Sequence, residues 1–212
     1  ITMQRLYAVG TSAGGQHPKA ILAIHAKTGE IRSGQLDWSQ EYKYYILKFA
    51  ESSTFPHTQV EMAYYQMATD MGINMMPSQL KEIDGQYHFL TERYDRQNGE
   101  RIHTQTLAAM SETACSYEDL MTVARKLDIP QNEQEQLYKR MVMNILGGNV
   151  DDHTKNFSFM LPKGGQWHIT PAYDMTFTVN LGAMQYVNYH NLSVRGKVTN
   201  ISEEDLLAFA KD

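Results

Sequence analysis

The strongest constraint on how this chain folds is a change of character near its middle: up to about residue 95 it reads as strand-rich, and beyond that as mostly helical. Ala20-Ile21-Leu22-Ala23-Ile24 and Lys43-Tyr44-Tyr45-Ile46-Leu47-Lys48-Phe49 carry the β-branched and aromatic residues that suit a pleated surface. Gln79 to Ile83 and Gln86 to Thr91 flank Asp84-Gly85, a dipeptide that tolerates the positive φ angles of a tight hairpin turn. One helix is expected among these strands, over Val60 to Met71, with Val60, Ala63, Tyr64, Met67, Ala68 and Met71 as its apolar face.

In the second half, Ser116-x-x-Asp119 opens a helix with Leu120, Val123, Ala124 and Leu127 on one side, and Pro130 closes it. Glu133 to Leu146 follows as a buried helix, with Leu137, Met141, Val142, Ile145 and Leu146 at helical spacing. Phe157 to Met160 and Trp167 to Thr170 flank Pro162-Lys163-Gly164-Gly165 as a short hairpin. The expectation is an α+β fold of two lobes, a small β-rich N-lobe over 1–95 and a mostly helical C-lobe over 96–212, with polar residues at the joins of a cleft.

A chain of 212 residues buries a core without staples, and Cys115 as its only cysteine excludes an intrachain disulfide, which suits a reducing compartment and makes the cytoplasm the default. No apolar run approaches the roughly 20 residues that span a bilayer, so no membrane role is expected. The net charge of −5 offers no basic stripe for gripping nucleic acid, so a DNA role would need a partner. The sequence begins at Ile1 and stops soon after a capped helical turn at Ser202, which suggests missing material at both ends.

The densest chemical signal is Asp151-Asp152-His153-Thr154-Lys155-Asn156, placed between a buried helix and a hairpin. Phosphoryl transfer needs a carboxylate to orient the attacking hydroxyl, and magnesium held by oxygen donors against the triphosphate. Asp151 supplies the first and Asn156 an amide donor; their spacing matches the H-R-D-x-x-x-x-N loop of protein kinases, although no His-Arg pair precedes Asp151. Asp174, in Pro171-Ala172-Tyr173-Asp174-Met175, stands where a second metal ligand is expected, without the DFG letters. Taken singly, these are also ordinary turn residues, and either Asp151 or Asp152 suits the role of base. Lys48 sits inside an apolar strand, where an amine needs an acidic partner, and Glu61 on the next helix can be that partner. The stretch Gly10-Thr11-Ser12-Ala13-Gly14-Gly15 would let backbone N–H groups approach phosphate, but it matches neither G-x-G-x-x-G nor the Walker pattern and also reads as a plain hairpin tip.

Several segments, in order, resemble the HipA-type serine/threonine kinases, toxin components of bacterial toxin–antitoxin systems. They are Ser12-Ala13-Gly14-Gly15-x-x-Pro18-Lys19, Ile46-Leu47-Lys48, Glu61 in its helix, Thr91-Glu92-Arg93-Tyr94-Asp95-Arg96, Asp151-x-His153-x-Lys155-Asn156-Phe157-Ser158 and Pro171-x-Tyr173-Asp174. The resemblance implies a bilobal protein-kinase-like fold that uses ATP and Mg2+. It assigns Lys48 to the ATP phosphates, Glu92 and Tyr94 to the adenine-binding hinge, Asp151 to the catalytic base, and Asn156 with Asp174 to magnesium. His153 and Lys155 would order the catalytic loop or touch the γ-phosphate, and Ser12, with Gly14 and Gly15 beside it in the phosphate-binding loop, would be an autophosphorylated off-switch, Thr11 being the alternative acceptor. It further implies a protein substrate, with an aminoacyl-tRNA synthetase as one candidate, and a helix-turn-helix antitoxin through which alone DNA is met. Full-length members carry an additional N-terminal subdomain with no room before Gly10, so this chain is expected to be a fragment or a short member. Two readings compete. A metal-dependent hydrolase ligated by Asp151, Asp152, His153 and Asp174 leaves Lys48 and Glu61 without work, and a catalytically silent kinase-fold module binding nucleotide or antitoxin sits poorly with the intact set of Lys48, Asp151, Asn156 and Asp174.

Overall fold

A computed structural model describes residues 11–12, 18–35, 39–51, 55–97, 99–180, 182 and 188–211. The chain divides into two compact units, one formed by Ile1–Gln66 with Met76–Ile102 and the other by Met67–Met75 with His103–Asp212.

The first unit is built on an antiparallel sheet of β1 (Thr11–Ser12), β2 (Lys19–His25), β3 (Ile31–Ser33), β4 (Tyr42–Lys48), β5 (Ser78–Ile83) and β6 (Gln86–Glu92). Its order is β1-β2-β4-β6-β5, with β3 also paired to β2. The β5–β6 hairpin turns through Asp84 and Gly85 at φ of 51° and 77°, the left-handed geometry that Asp-Gly predicts. Facing residues of paired strands share a side of the sheet. The pairs Ala20↔Leu47, Leu22↔Tyr45 and Leu47↔Leu90 therefore gather an apolar face, which Phe49 and Ile83 complete, while Lys48, opposite Phe89, lies on the other side. A two-residue hairpin of β7 (Arg96–Gln97) and β8 (Glu100–Arg101) follows.

Helix α1 (His57–Asp70) forms where the spacing predicts a helix and buries Tyr64 and Ala68 of the expected apolar face, but the buried stripe is rotated away from the rest of it. Thr58, Glu61, Tyr64 and Ala68 are buried, whereas Ala63 is exposed and Met67 and Met71 are 45% and 44% exposed. The polar pair wins because both members are satisfied: Thr58 donates to the Tyr87 carbonyl at 2.6 Å and Glu61 accepts from Lys48. A bonded polar group can be buried at little cost.

The second unit joins α2 (Leu107–Met110), α3 (Tyr117–Lys126), α4 (Gln131–Leu146) and α5 (Glu203–Phe209) to a small antiparallel sheet of β9 (His103–Thr106), β10 (Ser158–Leu161) and β11 (His168–Ile169), with β10 central. Tyr117, Leu120, Leu137, Met141, Phe157 and Phe159 lie at the heart of its core. Strand β9 escapes the pattern because His103-Thr104-Gln105-Thr106 carries no apolar residue to alternate. The reciprocal capping box expected at Ser116 and Asp119 is formed, and Ser202 with Asp205 repeats it at α5. Helix α3 stops at Lys126, before Pro130, because Asp128 takes φ of 55°; Pro130 instead stands at the position just before α4, without a side-chain capping bond. On α4 the predicted Leu137 and Met141 are buried, but so are Arg140 and Asn144, while Leu146 is 74% exposed. The chain leaves α4 through Gly148 at φ of 68°, where a Cβ would lie 3.1 Å from Phe177 and 3.2 Å from Val179, so a side chain there would be strained and crowded. No helix among the described residues is long and apolar enough to cross a membrane.

Candidate active site

In the first unit, the register of β4 carries Lys48 to the face where Glu61 of α1 meets it, at 2.5 Å between Nζ and Oε1. The side chains are only 17% and 12% exposed, so the pair is partly desolvated and each charge depends on the other. The residues expected at the hinge lie at the end of β6 and just beyond it. Arg93 grips Asp95 through two bonds of 2.8 Å, and Arg96 adds a third at 2.6 Å. Burial works against the charge on Asp95, but these bonds prevail and hold its carboxyl below the usual range. The turn they fix contains Tyr94, whose carbonyl accepts from Gln97 at 3.1 Å. Glu92 faces the side of the sheet opposite Lys48, and its carboxylate holds Lys43 at 3.2 Å, which raises the lysine's pKa. A cavity of about 700 Å3 beside this turn is lined by Tyr42, Tyr44, Met76, Glu92 and Arg96, among others. Thr11 and Ser12 pair with Ala20 and Lys19 through the backbone; their side chains, together with Gly14 and Gly15, lie outside the described residues.

In the second unit, adjacent carboxylates have opposite surroundings. Asp151 is 57% exposed, whereas Asp152 is wholly buried. Asp152 accepts from the Tyr117 hydroxyl at 2.6 Å and the Asn191 backbone N–H at 2.8 Å, and bonds His190 Nδ1 at 2.9 Å. Burial, and then the neighbouring Asp152, hold the Tyr117 hydroxyl well above the usual tyrosine pKa, so it stays a donor. Asn144 donates to that hydroxyl at 3.1 Å and accepts from Asn149 at 2.9 Å. Thr178 Oγ1 accepts from the backbone N–H groups of Val150 at 2.8 Å and Asp151 at 3.1 Å.

The loop closes in a 3₁₀ turn, Thr154–Asn156, whose Asn156 amide donates to the Asp151 carbonyl at 2.9 Å. Asn156 and Asp174 line one small cavity with Asn144, Asn149 and Tyr173. Asp174 takes φ of 53°, a left-handed backbone that is uncommon outside glycine and concentrates at functional sites. His153 Nε2 lies 3.9 Å from Asp151 Oδ2, too far for a hydrogen bond, and Lys155 is exposed while its carbonyl accepts from Tyr173 at 2.8 Å.

Each unit thus gathers some of the predicted residues: Lys48 and Glu61 in one, Asp151, His153, Lys155, Asn156 and Asp174 in the other. Sequence reasoning missed Tyr117, Asn144, Thr178, His190 and Asn191, which hold the loop. Only Asn144 left a trace, as a polar residue within the apolar pattern of α4. Among the described residues no three His, Cys, Asp or Glu side chains are grouped to hold a metal. An amide and a carboxylate oxygen are hard donors of the kind magnesium takes when phosphates complete its shell.

The model of the HipA-like C-terminal domain matches residues 11–212. "Putative kinase Y4mE" of Sinorhizobium fredii is 26% identical over 184 residues, 79% of this chain and 42% of that protein. A Haemophilus influenzae protein named "Putative kinase" is 24% identical over 194 residues, 82% of this chain and 54% of its own length. The chain therefore spans about half the length of these relatives. Among solved structures, HipA of Shewanella oneidensis, in complex with HipB and operator DNA, superposes with a TM-score of 0.74 at 20% identity, over 94% of this chain and 51% of that one. The proinflammatory kinase CtkA of Helicobacter pylori gives 0.52 at 13% identity, over 63% and 50%. The mixed α/β architecture is thus that of kinase folds, and the chain belongs to the HipA-like family, within its C-terminal domain.

Proposed function

We propose that this domain is the catalytic part of an ATP- and magnesium-dependent serine/threonine protein kinase, the toxin of a toxin–antitoxin system. The observation that carries the reading is the partly desolvated pair of Lys48 and Glu61, a strand lysine steadied by a helix glutamate. That arrangement presents an ammonium to the phosphates of a nucleotide. The exposed Asp151 carboxylate orients an acceptor hydroxyl and takes its proton, and Asn156 and Asp174 hold magnesium. The bound metal neutralises charge on the phosphates. Glu92 and Tyr94 contribute to an adenine hinge, where the Glu92 carboxylate is held by Lys43. His153 and Lys155 stand in the same loop, to order it or to touch the γ-phosphate.

The hydrolase alternative loses a ligand, because Asp152 is buried and committed to Tyr117, His190 and Asn191. The regulatory half of the proposal is autophosphorylation of Ser12, with about two negative charges then repelling nucleotide phosphate; phosphopeptide mass spectrometry after Mg-ATP treatment should find it, and an unmodified Ser12 would remove it. A helix-turn-helix antitoxin is the proposed partner, supported by the HipA–HipB–DNA complex, and an aminoacyl-tRNA synthetase is the candidate substrate.

The test combines the protein with Mg-ATP and a lysate and identifies newly phosphorylated proteins. Wild type should label a small set of serines or threonines, and Asp174→Asn none while remaining folded. Labelling unchanged in Asp174→Asn sinks the assignment, nucleotide binding without any labelling favours a silent module, and a reaction needing no nucleotide favours a hydrolase.

A further inference from the structure

We propose that Asp152 is a positioning residue: a buried carboxylate through which the segment beyond Asp174 holds the loop that carries Asp151. The proposal rests on the kinase reading of the same site. A carboxylate with no exposed surface is costly unless its oxygens are used, and here three groups distant in sequence meet it. Tyr117 arrives from the start of α3 and bonds Oδ2, as does His190, while the Asn191 backbone N–H takes Oδ1. Asn191 also donates through its side chain to the Val150 carbonyl at 2.9 Å. On the other side of the loop, Thr178 accepts from the N–H groups of Val150 and Asp151. Residues 150 to 152 are therefore fastened by main chain and side chain to residues 178, 190 and 191, while the Asp151 carboxylate stays exposed.

The geometry divides the labour of the two neighbouring acids. Asp152 is enclosed by α3 and the 190–191 segment and reaches no acceptor; it fixes the direction in which Asp151 leaves the backbone. An asparagine in its place keeps the shape, but its N–H2 must face either the Asn191 N–H or the Tyr117 and His190 side, and one bond is lost or rearranged.

The experiment measures phosphoryl transfer from Mg-ATP into the acceptor proteins of a lysate, together with amide hydrogen exchange, in Asp152→Asn, His190→Leu and His190→Asn. Misplacement of a reacting group by about 1 Å costs about 100-fold, so Asp152→Asn should lower kcat by that order with KM for ATP within about threefold of wild type. Exchange at residues 149 to 156 should accelerate while α3 and α4 stay protected. His190→Leu should do the same more weakly, and His190→Asn, which retains a side-chain N–H donor, should recover most of the rate. Loss of transfer with unchanged exchange in the loop would make Asp152 a reacting group and overturn the proposal, as would a wild-type rate in Asp152→Asn. A wild-type protein that transfers no phosphate would count against the kinase reading instead. Exchange at 149 to 156 then still decides, acceleration in Asp152→Asn sustaining the anchor and no change removing it.

Discussion

Lys48 stands where it does because a strand carries it there and a helix meets it. The register of β4 against β2 and β6 sets its face, and Glu61 reaches it from the second turn of α1. Asp151 has no such support, since it lies in a loop whose shape is dictated by Thr178, His190 and Asn191, across bonds that span 27 to 41 positions of the chain. Of the two arrangements, the first is carried by regular elements, a strand held in its sheet and a helix, and includes the Lys48–Glu61 ion pair. The second depends on hydrogen bonds made across the fold, and is the one that distant substitutions can disturb.

The contrast can be broken in several places. Lys48→Met should cost about 10²- to 10³-fold in phosphoryl transfer by removal of the charge proposed to meet the phosphates, measured as kcat/KM for ATP; a value near wild type would separate the ion pair from catalysis. Thr178→Val removes the acceptor shared by two loop amides and should slow transfer by about tenfold through misorientation alone, without weakening ATP binding. Tyr117→Phe takes one donor from Asp152 and the acceptor from Asn144, and should lower unfolding stability by about 1 to 3 kcal/mol in chemical denaturation.

Replacing both members of the pair, as Lys48→Met with Glu61→Leu, should leave stability unchanged or raised, because apolar groups of similar size need no mutual compensation; Glu61→Ala alone should lower it by about 2 kcal/mol. A destabilised double variant would mean that the pair holds the fold. The smallest effect concerns His88, fully enclosed and accepting from the Ala50 N–H, with burial pulling its pKa below 6.5. As pH falls below that value, the unfolded chain binds a proton that the folded ring refuses, so stability declines in acid and is flat above it. His88→Asn should flatten the acid limb of a denaturation series that runs downward from pH 6.5.

The sequence made the element-borne half of the site readable. An apolar strand interrupted at Lys48, a Glu61 on the following helix and a turn at Asp84-Gly85 each express a local rule, and each is seen. The outward turn of Met67 and Met71 was not readable, because burying Thr58 and Glu61 depends on partners in β6 and β4 that helical spacing does not reveal. Strand β9 was invisible for want of apolar residues, and its pairing with β10 is a tertiary fact. The spacing to Asn156 favours Asp151 over Asp152, but their opposite surroundings were beyond the sequence, since adjacent identical side chains differ only in what the fold brings to them.

The central claim is tested most directly by the rate at which γ-phosphate passes from Mg-ATP to a protein serine or threonine at saturating nucleotide, in wild type and in Asp151→Asn. Removing a positioned base should lower the rate by about 10²- to 10⁴-fold. ATP affinity and unfolding midpoint should be unchanged, because the exposed Asp151 side chain supports little of the fold. Equal rates in the two proteins would contradict the account.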